Sequence, residues 1–144
     1  ILIDNARIPF TDISKKLLVS AGTVHVRVKK MEDAGILKGS SLNLDYEKLG
    51  YSFIAYIGIY LERNDLTEKV LSELEKIPNV TVAHITTGKY NIFCKIRAKG
   101  TEHAREIIFS IDDVEGVLRT ETMISLEESI NDKKRLMKNI FQEL

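Results

Sequence analysis

The segment 20–36 constrains the fold of this 144-residue chain most, because it combines a helix cap, an apolar stripe at helical spacing and a glycine stop. Ser20 is a favourable N-cap, since its hydroxyl can accept a hydrogen bond from a backbone N–H of the first turn. Gly35 can take the left-handed conformation that ends a helix, and we expect Ile36 to pack back against that helix. The stripe that predicts a buried face consists of Val24, Val28 and Met31.

A shorter helix is predicted just before this segment. Pro9 suits the first turn of a helix, where its missing N–H costs nothing. The apolar face of this helix is formed by Phe10, Ile13 and Leu17. Only Leu18 and Val19 then separate it from Ser20. Two helices joined by so tight a turn predict a helix-turn-helix, in which the second helix enters a DNA groove. A helical hairpin buried in a core is the alternative, but the second helix carries three cations and only a narrow apolar stripe.

The residues predicted to contact duplex DNA form three groups. Helix N-termini face the duplex, so phosphate and base-edge contacts are expected from Ser20, Gly22 and Thr23. Base edges are expected to meet His25 and Val26, since a valine can touch a thymine methyl. Phosphates are expected to meet Arg27, Lys29 and Lys30. For Arg27, an ion pair that holds the domain together is the alternative.

The charge distribution agrees with a nucleic-acid partner at one end of the chain. The net charge is zero, but residues 1–44 carry an excess of three positive charges and residues 45–144 an excess of three negative charges. This polarity fits a partner that touches only the basic part. Residues 1–7 look like the end of a helix whose start precedes Ile1.

Cysteine content and hydropathy indicate a protein of a reducing compartment. The single cysteine, Cys94, lies in an apolar run and is predicted to be a small core residue. No apolar run is long enough to cross a bilayer, and no signal peptide is visible. We therefore expect a cytoplasmic protein without membrane contact.

The rest of the chain predicts an α+β arrangement in the order β-α-β-β-α-β, which is the ferredoxin-like one. Strands are expected at 53–61, 80–87, 90–98 and 117–126. The first helix begins at a capping box of Asp65 and Glu68 and ends before Pro78, and Thr101 caps the second. Segment 36–44 is a small hairpin or an extended linker. The expected domains are 1–44, 45–128 and a C-terminal helix in 129–144.

Two apolar surfaces of this arrangement need cover. The first strand is apolar on both faces, and helices are expected on only one face of the sheet. We therefore predict that a partner subunit covers the other face. The C-terminal segment is predicted to be an amphipathic packing helix, with one side formed by Ile130, Met137, Ile140 or Phe141, and Leu144.

The whole chain resembles the Lrp/AsnC family, the feast/famine regulators, and its AsnC branch in particular. The residues that carry the resemblance are Asn5-Ala6-Arg7, Val19-Ser20, the run from Gly22 to Val28, Ala34-Gly35-Ile36-Leu37, Gly39, Leu49-Gly50-Tyr51, the run from Thr86 to Phe93, and Thr120-Glu121-Thr122. The resemblance implies a winged-type helix-turn-helix followed by an effector domain called RAM. It also implies homodimers formed through the sheets, commonly assembled into octamers, that bind amino acids or related metabolites and thereby change transcription.

The resemblance also implies an effector site at the turn between the second and third strands. The implied residues are Thr87, Gly88, Lys89, Tyr90 and Asn91, joined by Thr120 and Thr122 from the fourth strand. Gly88 can adopt a positive φ and expose backbone N–H groups to a carboxylate. Spacing alone favours an ordinary hairpin turn, so the effector interpretation depends on the resemblance.

Three departures from the family pattern are visible. Leu18 stands where the family usually has glycine, which costs about 1 kcal/mol or more if the position is left-handed. Asn91 stands where many members have aspartate, so the charge at the effector turn differs. The long C-terminal helix is also less usual.

The sequence therefore predicts a sequence-specific DNA-binding transcription regulator that responds to an amino acid or related metabolite. It shows no glycine-rich phosphate loop, no paired His or Cys at metal spacing and no nucleophile with a partner base, so no enzyme, metal site or cofactor is expected. The main alternative is a single-stranded RNA-binding module of ferredoxin-like fold, although the third strand lacks its aromatic spacing. An acylphosphatase-type enzyme is a weaker alternative, because residues 61–65 are poor in glycine.

Overall fold

The computed structural model describes residues 1–143, which fall into two units. One unit contains Ile1–Asn43 and the segment that starts at Ser129, and the other contains Leu44–Glu128. The helices are α1 (Phe10–Leu17), α2 (Ala21–Asp33), α3 (Thr67–Leu74), α4 (Thr101–Asp112) and α5 (Lys134–Gln142). The strands are β1 (Phe53–Leu61), β2 (Val80–Ile85), β3 (Ile92–Ala98) and β4 (Val117–Ile124). None of the helices in residues 1–143 is long and apolar enough to span a membrane.

The helix-turn-helix forms as predicted, with α1 and α2 packed through Ile13 and Val24, both nearly inaccessible to solvent. The turn between the helices depends on Leu18, which has φ 53° and ψ 44° and lies in the left-handed region. The backbone N–H groups of Leu18 and Val19 both donate to the carbonyl of Ser14 and close the end of α1. A leucine in this conformation stores about 1–2 kcal/mol of strain.

The segments that flank the two helices contain neither a helix nor a strand. Residues 1–7 contain a turn, in which the N–H groups of Asp4 and Asn5 donate to the carbonyl of Ile1. Segment 36–44 contains no strand, so it is the extended linker and not the hairpin.

The C-terminal end of α2 closes through its backbone. Gly35 has φ +70°, as the glycine stop requires. The N–H groups of Ile36 and Leu37 both donate to the carbonyl of Met31, at 2.9 and 3.1 Å. The side chain of Ile36 is 64% exposed, so the prediction that it packs back against the helix is wrong.

The second unit is a four-stranded antiparallel sheet in the order β2-β3-β1-β4, and the predicted ferredoxin-like arrangement is confirmed. Helices α3 and α4 cover one face of this sheet. The core between them contains, among others, Ile57, Ile59, Val70, Ile92, Cys94 and Ile111. Cys94 is a core residue as predicted, and burial raises the pKa of its thiol to about 11.

The predicted caps of α3 and α4 are wrong. A 3₁₀ turn at Asn64–Leu66 precedes α3, and the carboxylate of Asp65 pairs with Arg63 at 3.2 Å instead of capping the helix. Thr101 is the first helical residue of α4, and the N-cap position is Gly100. At both sites the helix therefore starts without a side-chain cap.

The C-terminal helix is shorter than predicted. Ile130 lies before α5, while Met137, Ile140 and Phe141 lie within it and are each 38–55% exposed. The ammonium of Lys138 pairs with the carboxylate of Asp4 at 2.9 Å, which links α5 to the start of the chain. Leu144, the last residue of the predicted apolar side, lies outside the described residues.

Candidate DNA-binding helix and effector site

The N-terminus of α2 is capped as predicted. The hydroxyl oxygen of Ser20 accepts a hydrogen bond from the backbone N–H of Thr23 at 3.0 Å and lies 2.9 Å from the Thr23 hydroxyl. Both hydroxyls are therefore engaged in the cap. The remaining N–H groups of the first helical turn, including those of Ala21 and Gly22, have no partner within the helix and can meet a phosphate.

The outer surface of α2 displays the predicted contact residues. His25, Val26, Arg27 and Lys30 are exposed, and the ring centroid of His25 lies 6.0 Å from that of Phe10 on α1. Lys29 is also exposed but donates to Asp33 at 2.7 Å. Arg27 forms none of the ion pairs found in residues 1–143, so the alternative of a structural ion pair for it gains no support.

The turn at 86–91 has the geometry that the sequence predicts. Gly88 has φ +92°, and Thr87, Gly88 and Lys89 are exposed. The turn is closed by the N–H of Thr86, which donates to the carbonyl of Asn91, and by the Thr86 hydroxyl, which donates to the carbonyl of Tyr90. Within residues 1–143, the backbone N–H groups of Gly88 and Lys89 make no hydrogen bond, so both can donate to a carboxylate.

Asn91 holds this turn onto the sheet. Its side-chain oxygen accepts from the N–H of Leu61 at 3.0 Å, and its amide nitrogen donates to the side-chain oxygen of Asn64 at 2.7 Å. Its backbone N–H donates to the carbonyl of Ile59. Both polar atoms of the Asn91 side chain therefore hold the turn on the sheet.

The structure does not bring Thr120 and Thr122 to the side chain of Tyr90. They pair with Ile59 and Ile57 and lie on the face that the helices cover, where the Thr120 hydroxyl donates to Asp112 of α4 at 2.6 Å. Tyr90 lies on the opposite, open face of the sheet, above Gly58. The predicted grouping of both threonines with the turn side chains therefore does not form within this unit.

A different residue of β4, Glu121, faces Tyr90. Its carboxylate accepts hydrogen bonds from the hydroxyls of Tyr60 and Tyr90 at 3.1 and 2.8 Å and from the ammonium of Lys89 at 2.8 Å. The guanidinium of Arg119 lies 3.5 Å away and 4.0 Å from the centroid of the Tyr60 ring. We call Tyr60, Lys89, Tyr90, Arg119 and Glu121 the Glu121 cluster.

The cluster stabilises the charged forms of its central pair. The hydrogen bonds from Lys89 and Tyr90 lower the pKa of Glu121 to about 2, and the same carboxylate raises the pKa of Lys89. The hydrogen bond to Glu121 also raises the pKa of the Tyr90 hydroxyl. Glu121 is therefore an anion, and Lys89 a cation, throughout the neutral pH range.

Gly58 provides the space for Tyr90. A Cβ atom at position 58 would lie 2.3 Å from Cε1 of the Tyr90 ring, far inside van der Waals contact. The ring can lie on the sheet, and its hydroxyl can reach Glu121, only because this position has no side chain. The predicted site residues did not include Gly58, Tyr60, Arg119 or Glu121. Strand alternation puts Gly58 and Tyr60 on one face of β1, but it does not tell which face of β4 carries Glu121.

One cavity of the second unit lies away from the turn at 86–91. It has a volume of about 520 Å³ and lies between α3 and β2, with Glu68, Leu71 and Val82 in its lining. It contains none of the predicted effector residues. No group of His, Cys, Asp and Glu in residues 1–143 is arranged to hold a metal ion.

Both units match known families. Residues 1–38 match the winged helix-turn-helix DNA-binding family, and residues 54–134 match the Lrp/AsnC ligand binding domain. The chain belongs to the Lrp/AsnC family. The regulatory protein AsnC of Haemophilus influenzae is 37% identical over 131 residues, which cover 90% of this chain and 87% of that protein. The AsnC-like assignment made from the sequence is therefore confirmed. An HTH-type transcriptional regulator of Pyrococcus furiosus is 36% identical over 131 residues, which cover 88% of this chain and 85% of that protein.

Solved structures agree with this assignment. The structure of Escherichia coli AsnC is 34% identical and superposes with a TM-score of 0.87, covering 91% of this chain and 89% of that one. A transcriptional regulator of Neisseria meningitidis in complex with L-methionine has the same fold, with a TM-score of 0.87 and 19% identity, covering 96% of this chain and 92% of that one.

Proposed function

We propose that this transcription regulator binds duplex DNA through the exposed surface of α2 and that an amino acid bound at the turn 86–91 changes this binding. The observation that carries the proposal is that one chain combines an exposed basic helix with a turn that has free N–H groups and a lysine paired with the carboxylate of Glu121. Each half can be tested alone, because the DNA-contact residues and the effector residues belong to different units.

The DNA contacts are assigned from exposure and charge. Phosphates are expected to meet Arg27, Lys29, Lys30 and the free N–H groups at the start of α2, around Ser20, Gly22 and Thr23. His25 and Val26 are expected at base edges. In α2, Arg27 and Lys30 are exposed cations with no ion pair in residues 1–143, so they give up no internal partner on binding.

A salt titration of duplex DNA tests these contacts. A high-affinity duplex is first selected from a random pool with the full chain, and its dissociation constant is measured at several salt concentrations. Replacing Arg27 and Lys30 by alanine should weaken binding and lower the salt slope by about one for each phosphate that is no longer neutralised. The matched control replaces Lys69 and Lys76 of the second unit by alanine. It removes the same two positive charges and should leave the salt slope unchanged. Equal effects of the two variants would contradict the assignment.

The effector site is assigned from the turn and its surroundings. The free N–H groups of Gly88 and Lys89 suit a carboxylate, and the side chain of Tyr90 lies beside them. The L-methionine complex of the Neisseria meningitidis fold neighbour supports an amino acid as the class of ligand. Because Thr120 and Thr122 lie on the other face of the sheet, we propose the ligand contacts without them.

A thermal-shift screen against the twenty amino acids tests the effector site, because a ligand that binds only the folded state raises Tm. Replacing Gly88 by valine should abolish any shift, since a β-branched residue is strained at φ +92°. Gly50→Val is the matched control, because Gly50 has φ +85° and equally free space around it. A shift that survives Gly88→Val would move the site elsewhere.

We also infer that two copies of the chain pair through the open face of the sheet. This face carries Ile54, Tyr56, Tyr60, Phe93 and Met123, and the rings of Tyr56 and Phe93 stack at 5.8 Å without cover from any helix of their unit. Pairing would give the two α2 helices that a two-fold DNA site requires. Sedimentation equilibrium should show at least a dimer at micromolar concentration, and a monomer would refute the inference.

A further inference from the structure

We propose that the ammonium of Lys89 occupies, on Glu121, the position that the α-ammonium of the bound amino acid takes, so that binding exchanges one ammonium for the other. This inference rests on the proposed effector function. It adds that the site is specific for a primary ammonium and that the protein carries its own competitor for that position.

The surroundings of the Lys89 ammonium are those of a site for a primary amine. The ammonium lies 2.8 Å from Oε2 of Glu121 and 5.4 Å from the centroid of the Tyr90 ring. Carboxylates and aromatic rings both attract ammonium ions in proteins. The second oxygen of Glu121 accepts from Tyr60, which fixes the carboxylate in place.

The two partners differ in how firmly they are held. Glu121 lies within β4, its side chain is 33% exposed, and two tyrosine hydroxyls hold it whether or not Lys89 is present. The side chain of Lys89 is 61% exposed and starts from a turn. Exposed ion pairs contribute little to stability, so Lys89 can leave at low cost while the carboxylate and both rings stay.

The chemistry next to this position matches an α-amino acid. The free N–H groups of Gly88 and Lys89 lie in the same turn and can donate to a carboxylate, while Glu121 accepts the ammonium. A carboxylic acid without the amino group would leave the Lys89 ammonium paired with Glu121. It would bind only through the N–H groups of the turn. Displacement by an amino acid releases the Lys89 ammonium into solvent, which changes the charge pattern at the surface of the turn.

Lys89→Met tests the exchange, with affinities measured by calorimetry for the full chain. The probes are L-methionine with γ-(methylthio)butyric acid, L-leucine with isocaproic acid, and the corresponding pair for any other amino acid that raises Tm. The quantity compared is the ratio of the dissociation constant of the des-amino acid to that of the amino acid. This ratio cancels any loss of attraction between Lys89 and the ligand carboxylate.

Removing the competitor should raise this ratio about two- to fivefold in Lys89→Met, the range expected when an exposed ion pair no longer has to be broken. Glu121→Gln, which keeps the shape and one oxygen acceptor but removes the negative charge, should lower the ratio. The matched control is Lys95→Met. Lys95 also lies on the open face, pairs with Glu128 at 2.7 Å and lies 5.9 Å from the ring centroid of Tyr56, so its removal should leave the ratio unchanged.

The outcomes separate the two proposals. Amino-acid binding with an unchanged ratio in Lys89→Met would overturn the exchange and leave the effector site standing. An equal rise in Lys89→Met and Lys95→Met would also overturn it, because the effect would then follow charge rather than position. If no amino acid binds the natural chain or Lys89→Met, the effector function fails, and the exchange fails with it.

Discussion

Replacing Leu18 by glycine should stabilise the helix-turn-helix, although it removes a large apolar side chain. Leu18 is 92% exposed, so almost no buried apolar area is removed. Its φ of 53° places it in the left-handed region, which costs an L-residue about 1–2 kcal/mol and glycine almost nothing. Glycine also gives the unfolded chain more conformational freedom, which favours unfolding and offsets about 0.4–1 kcal/mol of the relieved strain. The net gain in the free energy of unfolding is therefore about 0.5–1 kcal/mol.

Amide hydrogen exchange of α1 and α2 measures this gain in the full chain. A gain of this size slows exchange about two- to fivefold wherever opening of both helices controls it. Leu17→Gly is the matched control, because it makes the same substitution one residue earlier, in the last helical position of α1. There glycine should cost about 1 kcal/mol and speed exchange. Faster exchange in Leu18→Gly would refute the argument from strain.

Three further predictions concern the second unit and one helical glycine. Gly58→Ala should lower the free energy of unfolding, measured in urea, by about 1–3 kcal/mol, because the new Cβ displaces the Tyr90 ring. Gly22→Ala should raise it, because alanine favours the helix and its Cβ would make only an ordinary contact, 3.7 Å from Ser20 Oγ; equal effects would contradict this. The pKa of Glu121 is lowered from an ordinary 4.5 to about 2 in the folded protein. The ionised carboxylate therefore stabilises the fold fully above pH 4.5, and this stabilisation is lost as the pH falls towards 2. Acid unfolding curves should show this loss in the natural chain and not in Glu121→Gln. The thiol of Cys94 should react with a thiol reagent only at the rate of unfolding, and fast labelling of the folded protein would contradict its burial.

The sequence was sufficient for features with a local cause. Ser20, Gly35 and the tight turn at Leu18 are read from residue types at fixed offsets, and the structure confirms each of them. The bounds of β1 were also predictable, because an unbroken apolar run from Phe53 to Leu61 has few alternatives. Local helix starts were harder, since Asp65 found a partner in Arg63 instead of capping α3.

The Glu121 cluster could not be predicted, because it depends on strand register. Glu121 meets Tyr60 and Tyr90 across sequence separations of 61 and 31 residues. The apolar residues of β4 do not alternate, since they fall in adjacent pairs at its two ends, and the sequence therefore leaves open which face Glu121 occupies. The predicted effector residues of β4 were Thr120 and Thr122, which flank Glu121. Because neighbouring residues of a strand point to opposite faces, both threonines lie on the face opposite the open one.

An amino acid bound to the second unit is proposed to control DNA binding by the first. This coupling is measured by titrating the selected duplex into the protein with and without a saturating amino acid. The amino acid should change the dissociation constant for DNA about fivefold or more, and DNA should change the affinity for the amino acid by the same factor. The claim would be contradicted if the amino acid bound the protein and left the affinity for the duplex unchanged.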